Sequence, residues 1–395
     1  MFCVEAQLCF RMPHEQGRRT QLSPAATHHL ELKRRVLKAH PELRQLYGPQ
    51  PAQVVVLLLL LVARWTLAWA LGESPIWLIG LLACTVGCWL VHAAGTYAHE
   101  SAHRLICASD AGAFLVDLLV EIAMTSFGKV VAYQYRHVNF HHRFLNEYDC
   151  DSEMRDACAH GAVVSAEDVS WLGSRALQLL EAALAALPLG GLVAQDVAEW
   201  LRAALFTPAL SASDAVRKAR FALPPPVAAK QRLFVLVSVC CYAASFRLLG
   251  WRSTLFALWS LSVKASRFDV VGWGQDAAEH NADADSCPTN STYGLWNLLF
   301  CNTGYHAEHH SFPNVASCYL PRITAAAPWA FLPNENHAPY PALWLRWARA
   351  GFRSFRLSAE QEAVVRGGRC SARSARPADP APGREREPEK RLKAD

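Results

Sequence analysis

The segment GYHAEHHSFPN at 304–314 places His306, His309 and His310 within five positions, beside Glu308. Residues three and four apart share a helix face, so all three imidazoles of this box can point one way. Two further boxes lie upstream. HESAH at 99–103 has His99 and His103 four apart, and HVNFHH at 137–142 has His137 and His141 four apart with His142 adjacent. Eight of the 16 histidines thus fall in three short segments. Neutral imidazole is a good donor to iron, zinc and copper, and it binds through whichever ring nitrogen its other hydrogen bond leaves free. Glu100, Asp149, Asp151, Glu279 and Glu308 lie near enough in sequence to orient such rings. One zinc takes three or four ligands, so this many clustered histidines points to two metal ions. His280 stands alone, and its position leaves a ligand and an ordinary polar residue equally open. His92 precedes His99 by seven residues on the same helix face but inside an apolar run, and reads as a buried group that orients a ligand. His14, His28, His29, His40, His160 and His337 read as ordinary surface or core histidines.

A histidine-held pair of irons can reduce dioxygen and generate an oxidant able to remove hydrogen from an unactivated C–H bond. The protein must then place one carbon pair of an acyl or alkyl chain beside it. A lipid desaturase or hydroxylase satisfies both needs. HESAH also satisfies H-E-x-x-H, in which two histidines hold zinc and the glutamate activates water, so a membrane-embedded zinc protease is the rival. That reading leaves six box histidines and His280 without a role. A metal transporter would place its ligands at mid-membrane on broken helices, whereas these boxes lie outside the apolar runs.

The elements that must carry these boxes are apolar. The chain of 395 residues is 52% hydrophobic and 18% charged, which favours a membrane protein. Its net charge of +5 is mild and its basic residues gather toward the ends, as topology signals rather than a nucleic-acid footprint, and no nucleic-acid partner is expected. Thirteen cysteines without framework spacing exclude a disulfide scaffold. No apolar stretch behind a basic start marks a cleavable signal peptide, and Phe2 excludes N-myristoylation.

Residues 54–71 and 76–95 form a transmembrane hairpin about the turn Gly72-Glu73-Ser74-Pro75, with Arg64 as a charged interruption. Residues 112–126 are short and carry Asp117 and Glu121, as an interfacial or re-entrant helix would. Residues 171–205, broken at Pro188-Leu189-Gly190-Gly191, read as surface-lying helices. Residues 233–249 and 255–263 form a second hairpin about Gly250-Trp251-Arg252. Even numbers of crossings keep every box on one face, and the positive-inside rule makes that face cytosolic, together with both termini. The expected fold is therefore all-α. It is a multi-span helical bundle of about four transmembrane helices in two hairpins, capped by a cytosolic, helical, histidine-rich metal domain. Residues 1–50 form a cytosolic N-terminal segment with an amphipathic helix up to His40-Pro41 near the membrane surface. Residues 51–345 form the membrane domain with the boxes at 99–103, 137–142 and 306–310, and the charged tail at 367–395 is expected to be disordered.

These residues resemble the sphingolipid Δ4-desaturases, or dihydroceramide desaturases, within the membrane fatty-acid desaturase superfamily. GYHAEHHSFPNV at 304–315, preceded by GLWNLLFCNT, resembles that family's third box. YAHESAHRL and HHRFLNEYDCD resemble its first and second boxes, and THHLELKRRVLKAHPELRQLYGPQP resembles the N-terminal segment peculiar to it. AAEHNAD resembles the place where the family has an additional histidine, which makes His280 a ligand by resemblance. The implied metal set is His99, His103, His137, His141, His142, His280, His306, His309 and His310, around two Fe ions. The resemblance further implies a trans double bond introduced between carbons 4 and 5 of dihydroceramide to give ceramide. Dioxygen would be consumed, with electrons from NAD(P)H through a reductase and a separate cytochrome b5, in the endoplasmic reticulum membrane. Sphingolipid C4-hydroxylation, or desaturation of another acyl lipid, is the alternative within the superfamily. Three departures stand out. The second box has three residues before its HH pair where the family usually has two. Gln275 stands where relatives tend to carry a histidine, and residues 155–230 look expanded.

Overall fold

A computed structural model describes residues 22–146, 151–153, 183–184, 187–190, 222–266, 268–280 and 288–349. Asp149, the charged tail at 367–395 and most of the surface helices expected at 171–205 lie outside these residues, as does most of the expanded region. The described residues are helical and contain no strand, only isolated bridges such as Tyr47 with Val315.

Helix α1 (Pro24–Ala39) starts where Ser23 accepts a hydrogen bond from the Ala26 amide, with proline in its first turn. Its buried stripe is Ala26, His29, Leu32 and Val36. Leu32 and Val36 share a core cluster with Phe312, Val315, Leu320 and Ile323, in the segment that follows the third box.

Among the described residues, three helices have the length and hydropathy to cross a bilayer. They are α2 (Gln53–Ala70), the continuous run Ile76–Ala102, and α7 (Pro225–Leu249). The second of these comprises α3 (Ile76–Leu82), a π turn at Ala83–Gly87 and α4 (Cys88–Ala102). Leu59, Val62, Trp69, Trp77, Leu236 and Leu248 on these helices are exposed, as lipid-facing residues are. The first hairpin is thus present. Its charged interruption, Arg64, is fully buried and donates to the carbonyls of Ala123 (2.7 Å) and Ala257 (2.9 Å) and to the Thr125 hydroxyl (3.1 Å). A guanidinium can sit in an apolar bundle when its donors meet oxygens, here the Ala123 carbonyl in the last turn of its helix, the Ala257 carbonyl and the Thr125 hydroxyl.

Helix α5 (Asp110–Met124) packs along α2 and α4. It ends in three left-handed residues, Thr125, Phe127 and Gly128, after which α6 (Lys129–Arg136) runs back toward the histidines. The two short helices thus form a hairpin. At Gly128 φ is +72°, and a Cβ would stand 2.6 Å from the Gln231 carbonyl oxygen of α7. Glu121 is buried at this tip and accepts from Ser126 (2.8 Å) and the Gly128 amide (3.1 Å).

The arms expected at 233–249 and 255–263 lie within α7 and the next helix. Helix α8 (Trp251–Lys264) has 14 residues, roughly 21 Å, against about 30 Å of hydrocarbon. It starts beside the first turn, where Arg252 meets Glu73 at 3.3 Å, and passes Arg64 at Ala257. The chain breaks at 265–269 and resumes as α9 (Val270–His280). Three long candidate spans are therefore found among the described residues, with α8 as a shorter apolar helix beside them. The break is held by Asp269, which pairs with Lys264 at 3.0 Å and accepts from the Gly272 amide at 3.0 Å. Short helices complete the chain: α10 (Leu295–Leu299), α11 (His306–Ser311), α12 (Leu320–Ala326), α13 (Pro328–Phe331) and α14 (Tyr340–Arg349).

Candidate metal centre

The first box ends α4, the second follows α6, the lone His280 ends α9, and the third forms α11. These four helix ends converge, and all nine histidines singled out from the sequence come together. Their ring nitrogens form two groups. His99, His103, His137, His142 and His309 make one, and His141, His280, His306 and His310 make the other, with the atoms of each group within 4.8 Å of one another.

In the first group the Nε2 atoms follow one another from His99 to His309 (2.9 Å), His142 (3.0 Å), His137 (3.0 Å) and His103 (3.1 Å). In the second, His306 Nε2 lies 3.0 Å from those of both His280 and His310, and His310 lies 3.2 Å from His141. Two imidazoles at right angles on an ion, with metal–nitrogen bonds of about 2.1 Å, have nitrogens about 3.0 Å apart. Both groups fit that separation. Burial, and then the neighbouring histidines, hold the imidazoles of His103, His137, His142, His309 and His310 well below their ordinary pKa. Neutral rings with free lone pairs are what a metal requires.

The irregular second box is accommodated by a π turn at His137–His141, in which the His142 amide donates to the His137 carbonyl five residues back. The wider turn brings His142 beside His137 in the first group and sends His141 to the second. His137 and His141 still lie side by side, with stacked rings 5.1 Å apart and ring nitrogens that both approach Glu153. Lengthening the box by one residue thus changes which rings are partners without removing a ring from the centre.

The rings are oriented by carboxylates, though not all those expected. Asp151 pairs with His141 Nδ1 at 2.9 Å, and Glu279 lies 3.4 Å from His306 Nδ1. Glu153, which sequence inspection missed, meets His137 Nδ1; its signal was its place two residues after Asp151. Glu308 faces away from the histidines and accepts from the hydroxyls of Ser291, Tyr293 (2.6 Å) and Thr324. Its carboxyl pKa is raised by burial, which these three bonds only partly offset. Glu100 accepts from the Ser317 amide at 3.0 Å and lies 3.8 Å from His99 Nδ1. His92 is two side chains removed from a box histidine, since its Nε2 meets Gln275 Oε1 at 2.8 Å and Gln275 donates to Glu279 at 2.7 Å.

His29, read as ordinary, is buried beside this centre. Its Nδ1 pairs with Ser311 Oγ (2.9 Å), its Nε2 with Thr289 Oγ1 (3.2 Å), and its ring centroid lies 5.4 Å from that of His310. Burial first, and His28 second, push its pKa down to about 3.

A cavity of about 350 Å³ reaches histidines of both groups: His99, His137 and His309 of the first, His280 and His306 of the second. Met124, Val130, Leu261 and Leu320 contribute apolar wall, while Thr96, Lys264, Gln275 and Thr303 contribute polar wall.

A family model for fatty acid desaturases matches residues 75–344. A sphingolipid delta(4)-desaturase/C4-monooxygenase from Rattus norvegicus is 36% identical over 106 residues, 24% of this chain and 32% of that protein. That match therefore spans about a third of the relative's length. A putative sphingolipid delta(4)-desaturase/C4-monooxygenase from Caenorhabditis elegans is 22% identical over 306 residues, 76% of this chain and 73% of that protein. A sphingolipid delta(4)-desaturase from Arabidopsis thaliana is 25% identical over 292 residues, 73% of this chain and 75% of that protein. No solved structure matches the chain.

Proposed function

Because the chain belongs to the fatty acid desaturase family, we propose that it is a membrane oxidoreductase that desaturates a sphingolipid at carbons 4 and 5, converting dihydroceramide to ceramide. The observation that carries this reading is the cavity that touches both histidine groups, since one bound chain can then present a carbon pair to both metal positions. The nine histidines are the ligands in this proposal, five for one iron and four for the other. When bound, the irons supply dioxygen reduction and hydrogen abstraction. Over a full cycle a CH₂–CH₂ unit, dioxygen, two electrons and two protons become a CH=CH unit and two waters.

The chain's own residues bind and orient. Met124, Val130, Leu261 and Leu320 offer an apolar surface to the sphingoid tail, and the dry wall keeps water from the reacting carbons. Polar side chains stand in the same cavity. Gln275 is one helical turn before Glu279, which contacts His306, and it donates to Thr303 at 3.0 Å. A fatty acyl chain oxidised mid-chain would leave that polar wall facing methylenes. A sphingoid base oxidised at carbon 4 brings its hydroxyl and amide there, which favours the sphingolipid reading. Asp151, Glu153 and Glu279 hold His141, His137 and His306 in orientation.

Hydroxylation at carbon 4 is the second outcome in this proposal, because it starts from the same abstraction and because the relatives from Rattus norvegicus and Caenorhabditis elegans carry both activities in their names. Electrons from NAD(P)H through a separate reductase and cytochrome b5, and residence in the endoplasmic reticulum with the histidines cytosolic, complete the proposal. The test is mass spectrometry of sphingoid bases after expression, with cytochrome b5 supplied, in a host that makes dihydroceramide without the Δ4 double bond. Loss of two hydrogens at carbons 4 and 5 supports the desaturase. A gain of one oxygen at carbon 4 makes the protein mainly a hydroxylase. No change, with the protein verified in the membrane, overturns the substrate assignment.

A further inference from the structure

Helix α11 has six residues and carries three rings of the metal centre. A helix this short does not hold its own shape, so its position must be imposed from outside. The two polar side chains of HAEHHS that are not histidines are its anchors. Glu308 is gripped by Ser291, Tyr293 and Thr324, and Ser311 is paired with His29, 282 residues away in sequence.

His29 is not a further ligand, because both its nitrogens are engaged by hydroxyls, at 2.9 Å to Ser311 and 3.2 Å to Thr289. Its ring lies against His310 and is 2% exposed. The rest of α1 extends the same attachment. At its start the Ser23 amide donates to the Arg143 carbonyl (3.0 Å) and the Ser23 hydroxyl to the Leu145 carbonyl (3.0 Å), just past the second box. Farther along, Lys33 donates to Asn314 Oδ1 at 3.1 Å, just past the third. The helix therefore bridges the two boxes that supply three of the four rings in the second group.

We infer that α1 is a strut of the metal centre and that His29 is a positioning residue, which fixes His310 through Ser311 and through contact with its ring. This inference rests on the nine histidines being metal ligands. It gives the N-terminal segment a task inside the site, where its amphipathic pattern alone suggested a membrane-surface helix.

The test uses purified full-length protein loaded with cobalt(II), read by equilibrium titration and visible absorption, with thermal melting alongside. Wild type is expected to take up two ions per chain; uptake of none would overturn the ligand assignment itself, before the role of His29 is reached. His29→Phe keeps a ring and removes both hydrogen bonds. It should weaken one of the two ions by about tenfold or more and shift its absorption band. His29→Gln, which can still pair with both hydroxyls, should recover most of that affinity, and Ser311→Ala should reproduce the loss. A purely structural role predicts a lower melting temperature with both affinities and the spectrum unchanged, and that result in His29→Phe and Ser311→Ala overturns the inference. Should His29→Phe fail to fold, Ser311→Ala decides the matter alone.

Discussion

His309 and His310 are neighbours in sequence yet belong to different groups, His309 with the five and His310 with the four. Replacing either with alanine should therefore remove a different ion. His309→Ala and His310→Ala are each expected to retain about one iron per chain and to lose sphingolipid oxidation by about a hundredfold or more, checked by metal analysis and lipid mass spectrometry. Glu100 separates this chemistry from its rival. Its carboxylate accepts from the Ser317 amide, a bond that glutamine can also accept, so Glu100→Gln should keep oxidation within about tenfold of wild type. Loss of all function in that variant would favour the zinc-protease reading of HESAH. Eight of the nine rings were marked in the sequence by spacing, and His280 by the family resemblance alone. Their division into five and four was not, because the π turn at 137–141 that makes it depends on a local widening that an i, i+4 reading cannot anticipate. Glu153 and His29 escaped for another reason. Their partners are 16 and 282 residues away, beyond any local pattern.

At the scale of elements, the histidines sit where helices are interrupted, and each interruption has its own support. The tip between α5 and α6 depends on Gly128, whose left-handed φ and close approach to the Gln231 carbonyl no side chain accepts easily. Gly128→Ala is expected to cost about 1–2 kcal/mol from the backbone alone, and more from the contact, measured as a fall in denaturation midpoint with the metals bound. The break after α8 depends on Asp269. Burial pushes its carboxyl up, but Lys264 and His92 outweigh that and hold it well below its ordinary 3.8. A depressed carboxylate stabilises the fold above its unfolded pKa, and that stabilisation is lost as pH falls below about 3.8. Asp269→Asn should cost about 3 kcal/mol near neutral pH by leaving Lys264 without its partner, and should flatten the acid limb of the stability profile. From the sequence, apolar length marked both arms of the first hairpin, and the short helix expected at 112–126 is where α5 lies. The second arm was expected to end at 263 and α8 ends at Lys264; the pairing of Lys264 with Asp269 was not legible in the sequence.

For the whole molecule, contacts show which parts of the chain share an end of the bundle. Helix α1 is bonded to segments that follow the second and third boxes, so the described chain begins on the histidine side, while α14 packs along α9 with Trp344 against Phe268. The opposite end of the bundle is the junction of Glu73 with Arg252, where the first turn meets the start of α8. If α2 and the run Ile76–Ala102 cross the bilayer, the turn at 72–75 and Gly250 must share the far side, whether or not α8 counts as a fourth span. A glycosylation acceptor inserted at 73–74 should be modified in microsomes, while acceptors fused at either terminus should stay unmodified. The same proteins, probed by protease from the cytosolic face, should lose both terminal tags and keep the turn. Modification of the C-terminal acceptor alone would mean that the chain crosses once more after the third box. Modification of the N-terminal acceptor would contradict the contacts of α1 with the metal centre and, with them, the single-faced site on which the proposed chemistry depends.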